Sequence, residues 1–291
     1  MLSQRKWLLL SILLIGLSLI PVGDTAGKML GLQGIDPLFI AWSRLAVGLV
    51  LILPLSGLAI SEIKHLYNWR LQIRAVLFCC AIFSILTALK TKPIADVFGI
   101  FFVGPIVAYF LAAIVLKEQI NSVRSIILLI GFIGVLMVVK PGINMDSGTF
   151  FALLAGTCYG SMLVCNRWLA GSFRPRLILL STLITGSIAL APIAIPTIPT
   201  QINNTLIGQV LISSAASAIG NLIIIEANRH LEASVVAPFV YSQLIAATIL
   251  GILVFNEWPD LLSAVGLIII FSSGVLSFLL SKRKVQPGKV M

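Results

Sequence analysis

Two stretches decide the fold: PLFIAWSRLAVGLVLILP at 37–54 and PRLILLSTLITGSIALAP at 175–192. Laid over one another at an offset of 138, they agree at Pro37/Pro175, Ile40/Ile178, Ser43/Ser181, Leu45/Leu183, Gly48/Gly186 and Pro54/Pro192. The register continues outward. At offset 139, Lys28 meets Arg167, Lys90 meets Arg229 and Glu118 meets Glu257. At offset 140, Gly134-Val135-Leu136 meets Gly274-Val275-Leu276. Leucine and isoleucine coincide easily in apolar sequence, so the weight rests on the prolines, glycines, charges and near-constant offset. The chain reads as an internal duplication, with halves 1–142 and 143–291.

Composition sets the solvent. Of the 291 residues, 59% are hydrophobic and 10% charged, with a mean hydropathy of +1.09. Soluble domains run at about 45–50% apolar and ~25% charged. This balance excludes a soluble enzyme, a disordered chain and a nucleic-acid-binding protein. A membrane-spanning helix needs ~20 mostly apolar residues. Ten such segments are expected, at 7–29, 36–57, 71–90, 94–116, 122–140, 148–168, 176–195, 205–227, 232–255 and 260–281. Each half then holds five spans. Five is odd, so the second half enters the membrane from the opposite side. The expected fold is an all-α membrane protein of ten transmembrane helices in two inverted five-helix repeats. That architecture recurs in secondary transporters, with cargo bound between repeats near the midplane.

Orientation follows from the basic residues. With the N-terminus in the cytoplasm, fifteen of the 20 Lys and Arg fall on that side: Arg5, Lys6, Lys64, Arg70, Arg74, Lys117, Arg124, Arg167, Arg174, Arg176, Arg229, Lys282, Arg283, Lys284 and Lys289. Lys28, Lys90, Lys92 and Lys140 fall outside, and Arg44 lies within a span. Both termini are expected to be cytoplasmic, in the inner membrane. The net charge of +10 is this loop bias, not a nucleic-acid surface. Arg5 and Lys6 precede an apolar run without a convincing cleavage site, so that run reads as a retained first helix. Cys79, Cys80, Cys158 and Cys165 lie in apolar stretches without metal-ligand spacing and read as packing residues.

Several stretches carry a resemblance: Gly23-Asp24 with Lys28, then Pro37 and Trp42-Ser43-Arg44; GPIVAYFLAAIVLKE at 104–118 with Gly131 and Gly134; and APFVYSQLIAATILGILVFNEWPD at 237–260 with Gly266 and Gly274. Over essentially its whole length the chain resembles the drug/metabolite transporter superfamily, in its EamA-type ten-span branch. One departure is Leu244, which stands where the first half has Pro105 and suggests that Pro238 breaks that helix instead. The resemblance implies a carrier of amino acids, drugs, vitamins or other metabolites and leaves the direction open.

Ionisable groups within spans are costly, about 2.5–3.5 kcal/mol at the bilayer centre, so each needs a reason. Asp24 and Lys28 are four apart and can pair along one helix face, as a structural closure or as a gate or cargo contact. Arg44 has an uncharged counterpart, Thr182; it either grips an anionic cargo group bidentately or locks to Asp24. Asp96, beside Lys90 and Lys92, is either neutralised locally or a proton-coupling carboxylate. Glu226, beside Asn228, Arg229 and His230, is either part of a cytoplasmic charge cluster or a proton relay. Glu118 and Glu257 are expected to cap helices or pair with loop bases. Asn166 and Asn221 could bond a polar cargo, as could Gln243. Trp42, Tyr159, Phe239 and Tyr241 could stack on a planar cargo or simply fill the bundle. Gly27/Gly31 and Gly156/Gly160 read as close-packing pairs.

The leading function is a secondary transporter moving a small organic metabolite by alternating access, with no catalytic residues, metal or cofactor, working as a monomer or homodimer. No phosphate-binding loop marks an ATP motor. Arg44 with the inner aromatics favours a vitamin such as riboflavin, ahead of amino-acid or drug export. An S-adenosylmethionine carrier would use Asp24 or Glu226 against the sulfonium. A membrane-embedded enzyme would need a ligand cluster, but His65 and His230 stand alone near loops. A receptor has no evident need of the inverted symmetry.

Overall fold

A computed structural model describes residues 2–118, 122–139, 146–231 and 236–281. The helices are α1 (Leu2–Leu32), α2 (Pro37–Ile52), α3 (Trp69–Leu89), α4 (Ile94–Phe101), α5 (Val103–Val115), α6 (Ser122–Val139), α7 (Ser147–Leu169), α8 (Pro175–Ala194), α9 (Asn204–His230), α10 (Ser242–Phe255) and α11 (Leu261–Ser281). Short 3₁₀ turns lie at Ile60–His65, Ile195–Thr197 and Ala237–Tyr241. Helices α4 and α5 together make one span, Ile94–Val115, and the 3₁₀ turn with α10 makes another, Phe239–Phe255. Six long and four shorter apolar helical segments thus supply the ten spans among the described residues. Lys140, Lys282, Arg283, Lys284 and Lys289, the 142/143 division and the first residues of the ninth span lie outside them.

Local chemistry sets the ends. Asp36 accepts a hydrogen bond from the Leu38 amide, with Pro37 opening α2; Asn68 and Asn203 cap α3 and α9 in the same way. Asp146 caps α7 through the Thr149 amide and pairs with Lys92 at 3.0 Å. Those contacts hold its carboxyl down at about 2, so the cap stays ionised until the pH falls well below 3.

The duplication is visible in the backbone. Among the described residues, the non-glycine residues with positive φ are Lys117 (54°) and Asn256 (55°), which stand 139 apart and each precede a glutamate. The break between α4 and α5 falls at Phe102, and its counterpart 139 residues on is Tyr241, at the end of the 3₁₀ turn. These two rings meet at 5.3 Å, so the break points of the two halves touch. The breaks therefore sit at Phe102 and Tyr241; Pro105 lies within the first turn of α5, where proline costs no helical hydrogen bond.

The halves interleave. Helix α1 packs along α9 and α3 along α7, each pair joining one repeat to the other. The symmetric pairs α2·α8 and α6·α11 complete the bundle. Glycines permit the closest approaches: a Cβ on Gly134 would lie 2.7 Å from the Gly266 carbonyl oxygen, and one on Gly104 2.7 Å from that of Gly156. Outward faces carry exposed Ile15, Val50, Val76, Ile114, Ile133 and Ile249, the surface a hydrocarbon solvent requires.

Candidate functional site

Polar side chains enter the bundle in two places. The first lies between α1, α2 and α9. Arg44 Nη1 donates to Asp24 Oδ1 at 2.6 Å, with both side chains 2% exposed. Gly23 makes room for the guanidinium, since a Cβ there would stand 3.0 Å from Arg44 Nη2. Ser213 donates to the Gly23 carbonyl and Ser214 to that of Ser43, which tie α9 to this corner. Asn221 donates back to Ser217 O, leaving its Oδ1 with no partner, as are Asp24 Oδ2 and Arg44 Nε.

The second place is the counterpart of the first, between α7, α8 and α3. Arg74 is fully buried; its Nε donates to Asn166 Oδ1 at 2.6 Å and its Nη1 to Thr182 Oγ1. The Phe78 ring lies 5.7 Å below the guanidinium. Tyr159 lies within electrostatic range of both Arg74 and Asp24. Its hydroxyl accepts from Gln243 Nε2 at 3.1 Å, and its ring meets Phe101 at 4.9 Å. Gln243 and Tyr241 are buried.

Both ends of the bundle are built from repeat-related residues, yet they differ. At one end Lys28 Nζ contacts Glu257 Oε1 at 2.5 Å and the Lys92 carbonyl at 3.3 Å, above the Phe255 ring at 4.7 Å. Glu257 Oε2 also accepts from the Ile94 amide at 3.0 Å, so one carboxylate joins α1 to the start of α4. At the other end their equivalents, Arg167 and Glu118, line a cavity of about 440 Å³ with Leu116, Trp168, Gly171 and Arg229. Arg167 Nη1 donates there to the carbonyls of Asn228 and Arg229 at 3.2 and 3.4 Å. Arg70 lies against the rings of Trp69 and Trp168 at the same end.

Several expectations change. Asp24 and Lys28 do not pair with each other, because each finds a closer partner on another helix, Arg44 and Glu257. Trp42 is partly buried, and its indole N–H donates to Ser187 O at 3.0 Å and fastens α2 to α8. Lys92 goes to Asp146; Asp96 sits half-buried in the first turn of α4. Glu226 is 46% exposed and pairs with His230 one turn on, as a surface cluster would. Arg74, assigned to the cytoplasmic loops by its nearness to a span end, is instead fully buried. Only its place three residues past the start of the span at 71–90 hinted at this.

Ten apolar helical spans among the described residues, with an ion-pair latch at one end and a surface cavity at the other, fit a multi-pass membrane transporter for a small molecule. The chain belongs to the EamA-like transporter family, which it matches over residues 6–140 and again over 146–279. It is 25% identical over 207 residues to an S-adenosylmethionine uptake transporter of Rickettsia bellii (strain RML369-C), covering 69% of each chain. It is 24% identical over 203 residues to another protein of that name, from Rickettsia prowazekii (strain Madrid E), covering 69% of this chain and 68% of the relative. A solved crystal structure superposes with a TM-score of 0.70 over 94% of this chain and 98% of that one. At 15% identity it shares the fold alone.

Proposed function

We propose that the protein is a secondary transporter that carries S-adenosylmethionine, or a close zwitterionic nucleoside derivative, by alternating access. The reading is carried by the repeat-related ends: Lys28 pairs with Glu257 at one, while at the other its equivalent Arg167 bonds backbone carbonyls beside a cavity. Repeat-related ends in different states are what an alternating carrier held in one conformer requires. For the cargo, two relatives bear that name, and the buried groups have matching signs. The unpartnered Asp24 Oδ2 suits an ammonium or sulfonium. Tyr159, Tyr241 and Gln243 suit a purine. Riboflavin becomes the second reading, because both relatives are named as carriers of S-adenosylmethionine and Trp42, one of the aromatics that favoured riboflavin, is bonded to Ser187.

The cavity end faces the cytoplasm of an inner membrane, since Arg70, Arg167, Arg174, Arg176 and Arg229 gather there. A cysteine at Gln286, outside the described residues, is then labelled by an impermeant maleimide only after the cytoplasmic face is opened; labelling of intact cells refutes this orientation.

The direct test is uptake of labelled S-adenosylmethionine into proteoliposomes of the purified protein, with riboflavin and amino acids as competitors. Saturable uptake that unlabelled S-adenosylmethionine abolishes and riboflavin spares is the expected result. Uptake no faster than in protein-free vesicles, from folded protein, removes this cargo.

A further inference from the structure

The two polar corners are related by the internal repeat, yet their charges do not match. At offset 138 Arg44 corresponds to Thr182, and at offset 139 Arg74 corresponds to Ser213. The cation stands on α2 in one corner and on α3 in the other. The first corner neutralises its arginine with Asp24. The second has Leu163 where Asp24 would be, 139 residues on, and Leu163 is fully buried. Arg74 is bonded by a neutral amide and a neutral hydroxyl, and the other titratable groups near it are Cys79, Cys165 and Tyr159. A guanidinium held among neutral groups in a spanning helix lacks the counter-charge that such burial demands.

The unused hydrogen-bonding atoms say what is lacking. Arg74 Nη2 and Asn166 Nδ2 are both buried donors without an acceptor. The orientation of the Asn166 amide is fixed, because Arg74 Nε can only donate and must face Oδ1. Two unfilled donors on bonded neighbours, one of them cationic, suit an oxyanion with two acceptor oxygens. Along the chain, the place also lies near the cavity that Arg167 lines. Asn166 directly precedes Arg167 in the cavity wall, and Arg70, against Trp168, is one helical turn from Arg74.

We propose that Arg74 and Asn166 form the subsite that binds the carboxylate of the cargo, which supplies the counter-charge that the second repeat lacks. This rests on the reading of the chain as a carrier of a carboxylate-bearing metabolite and does not depend on which one. When the cargo leaves, Arg74 returns to its neutral partners Asn166 and Thr182.

The test compares each carboxylate with the same molecule lacking it. S-adenosylmethionine and its decarboxylated form, L-methionine and 3-(methylthio)propylamine, and L-phenylalanine and phenethylamine are measured by thermal shift of the purified full chain. The wild-type protein is expected to prefer the carboxylate in at least one pair by roughly 10- to 100-fold, the range of a hydrogen-bonded charge. Arg74→Gln is expected to abolish the preference while leaving the weak binding of the amine unchanged. Asn166→Asp guards against a misfolded Arg74→Gln: it places a carboxylate on Arg74 from within, so the empty protein should melt higher and the preference should disappear. Wild-type protein without a carboxylate preference in any pair overturns the proposal, as does an Asn166→Asp protein that retains it. Failure of S-adenosylmethionine alone, with another pair discriminated through Arg74, overturns the cargo assignment and leaves the subsite standing.

Discussion

Asp24→Ala is expected to cost the protein its fold. The substitution leaves the Arg44 guanidinium buried between α1, α2 and α9 without Asp24, its only charged partner among the described residues. Removing one member of a buried pair costs about 3–5 kcal/mol, because the remaining charge keeps its desolvation penalty and loses its compensation. A natural domain has about 5–15 kcal/mol in total. The expected readout is loss of the monodisperse peak in detergent, or a strongly lowered melting temperature. Asp24→Leu combined with Arg44→Met removes both charges and should restore folding, since well-packed apolar replacements of buried pairs are often neutral or stabilising. A single Asp24→Ala protein that melts with the wild type would show that the pair contributes nothing to stability. Transport by the refolded double variant then reports separately on whether Asp24 contacts cargo.

Glu257→Gln is expected to unlatch the closed end. The carboxylate makes two contacts, to Lys28 Nζ and to the Ile94 amide, and both weaken when its charge is removed. Hydrogen bonds to charged groups contribute about 1.5–3 kcal/mol. If the latch exists only in this conformer, its loss shifts the population between conformers by roughly 10- to 100-fold. A cysteine replacing Thr25, one turn below Lys28 and 5% exposed here, should then react with an impermeant maleimide from the latched side. Lys28→Glu with Glu257→Lys should restore much of the protection, short of the Ile94 contact, which a lysine ammonium cannot accept. Unchanged labelling in Glu257→Gln would mean that the pair is not a gate.

The architecture was legible because a repeat advertises itself in residues that apolar sequence does not repeat by chance. Lys28/Arg167, Glu118/Glu257 and the shared prolines gave the register, and the positive-φ pair Lys117/Asn256 follows it in three dimensions. Side-chain partners were legible in part: the lock of Arg44 on Asp24 was one of the two readings the sequence offered, but spacing along a helix reports only what lies on that helix. Asp24 and Lys28 are correctly spaced for each other, yet Lys28 takes a carboxylate 229 residues away. Arg74 shows the same limit. Counting bases by nearness to a span end assigns it to a loop, while Asn166 and Thr182, from helices in the other repeat, decide that it is buried. The proline comparison of the fourth and ninth spans came close, since Pro238 lies in the 3₁₀ turn Ala237–Tyr241, but it did not point to Phe102. What the halves share there is the ring contact between Phe102 and Tyr241, formed across the repeat.

The interleaving of the halves also has a consequence for how the protein is made. Helix α1 leaves the ribosome early, but α9, against which it packs, and Glu257, which Lys28 requires, are encoded near the other end. At about 5–20 residues per second, roughly 10–45 s of synthesis separate Lys28 from Glu257. Arg74 likewise waits for Asn166 and Thr182. During that interval the bilayer holds a nascent chain with unmatched ionic groups, and the insertion machinery or bound lipid must shelter them. The segments that complete the fold are therefore the last to arrive, so a translation product cut short before α9 is marked for proteolysis by its own buried charges.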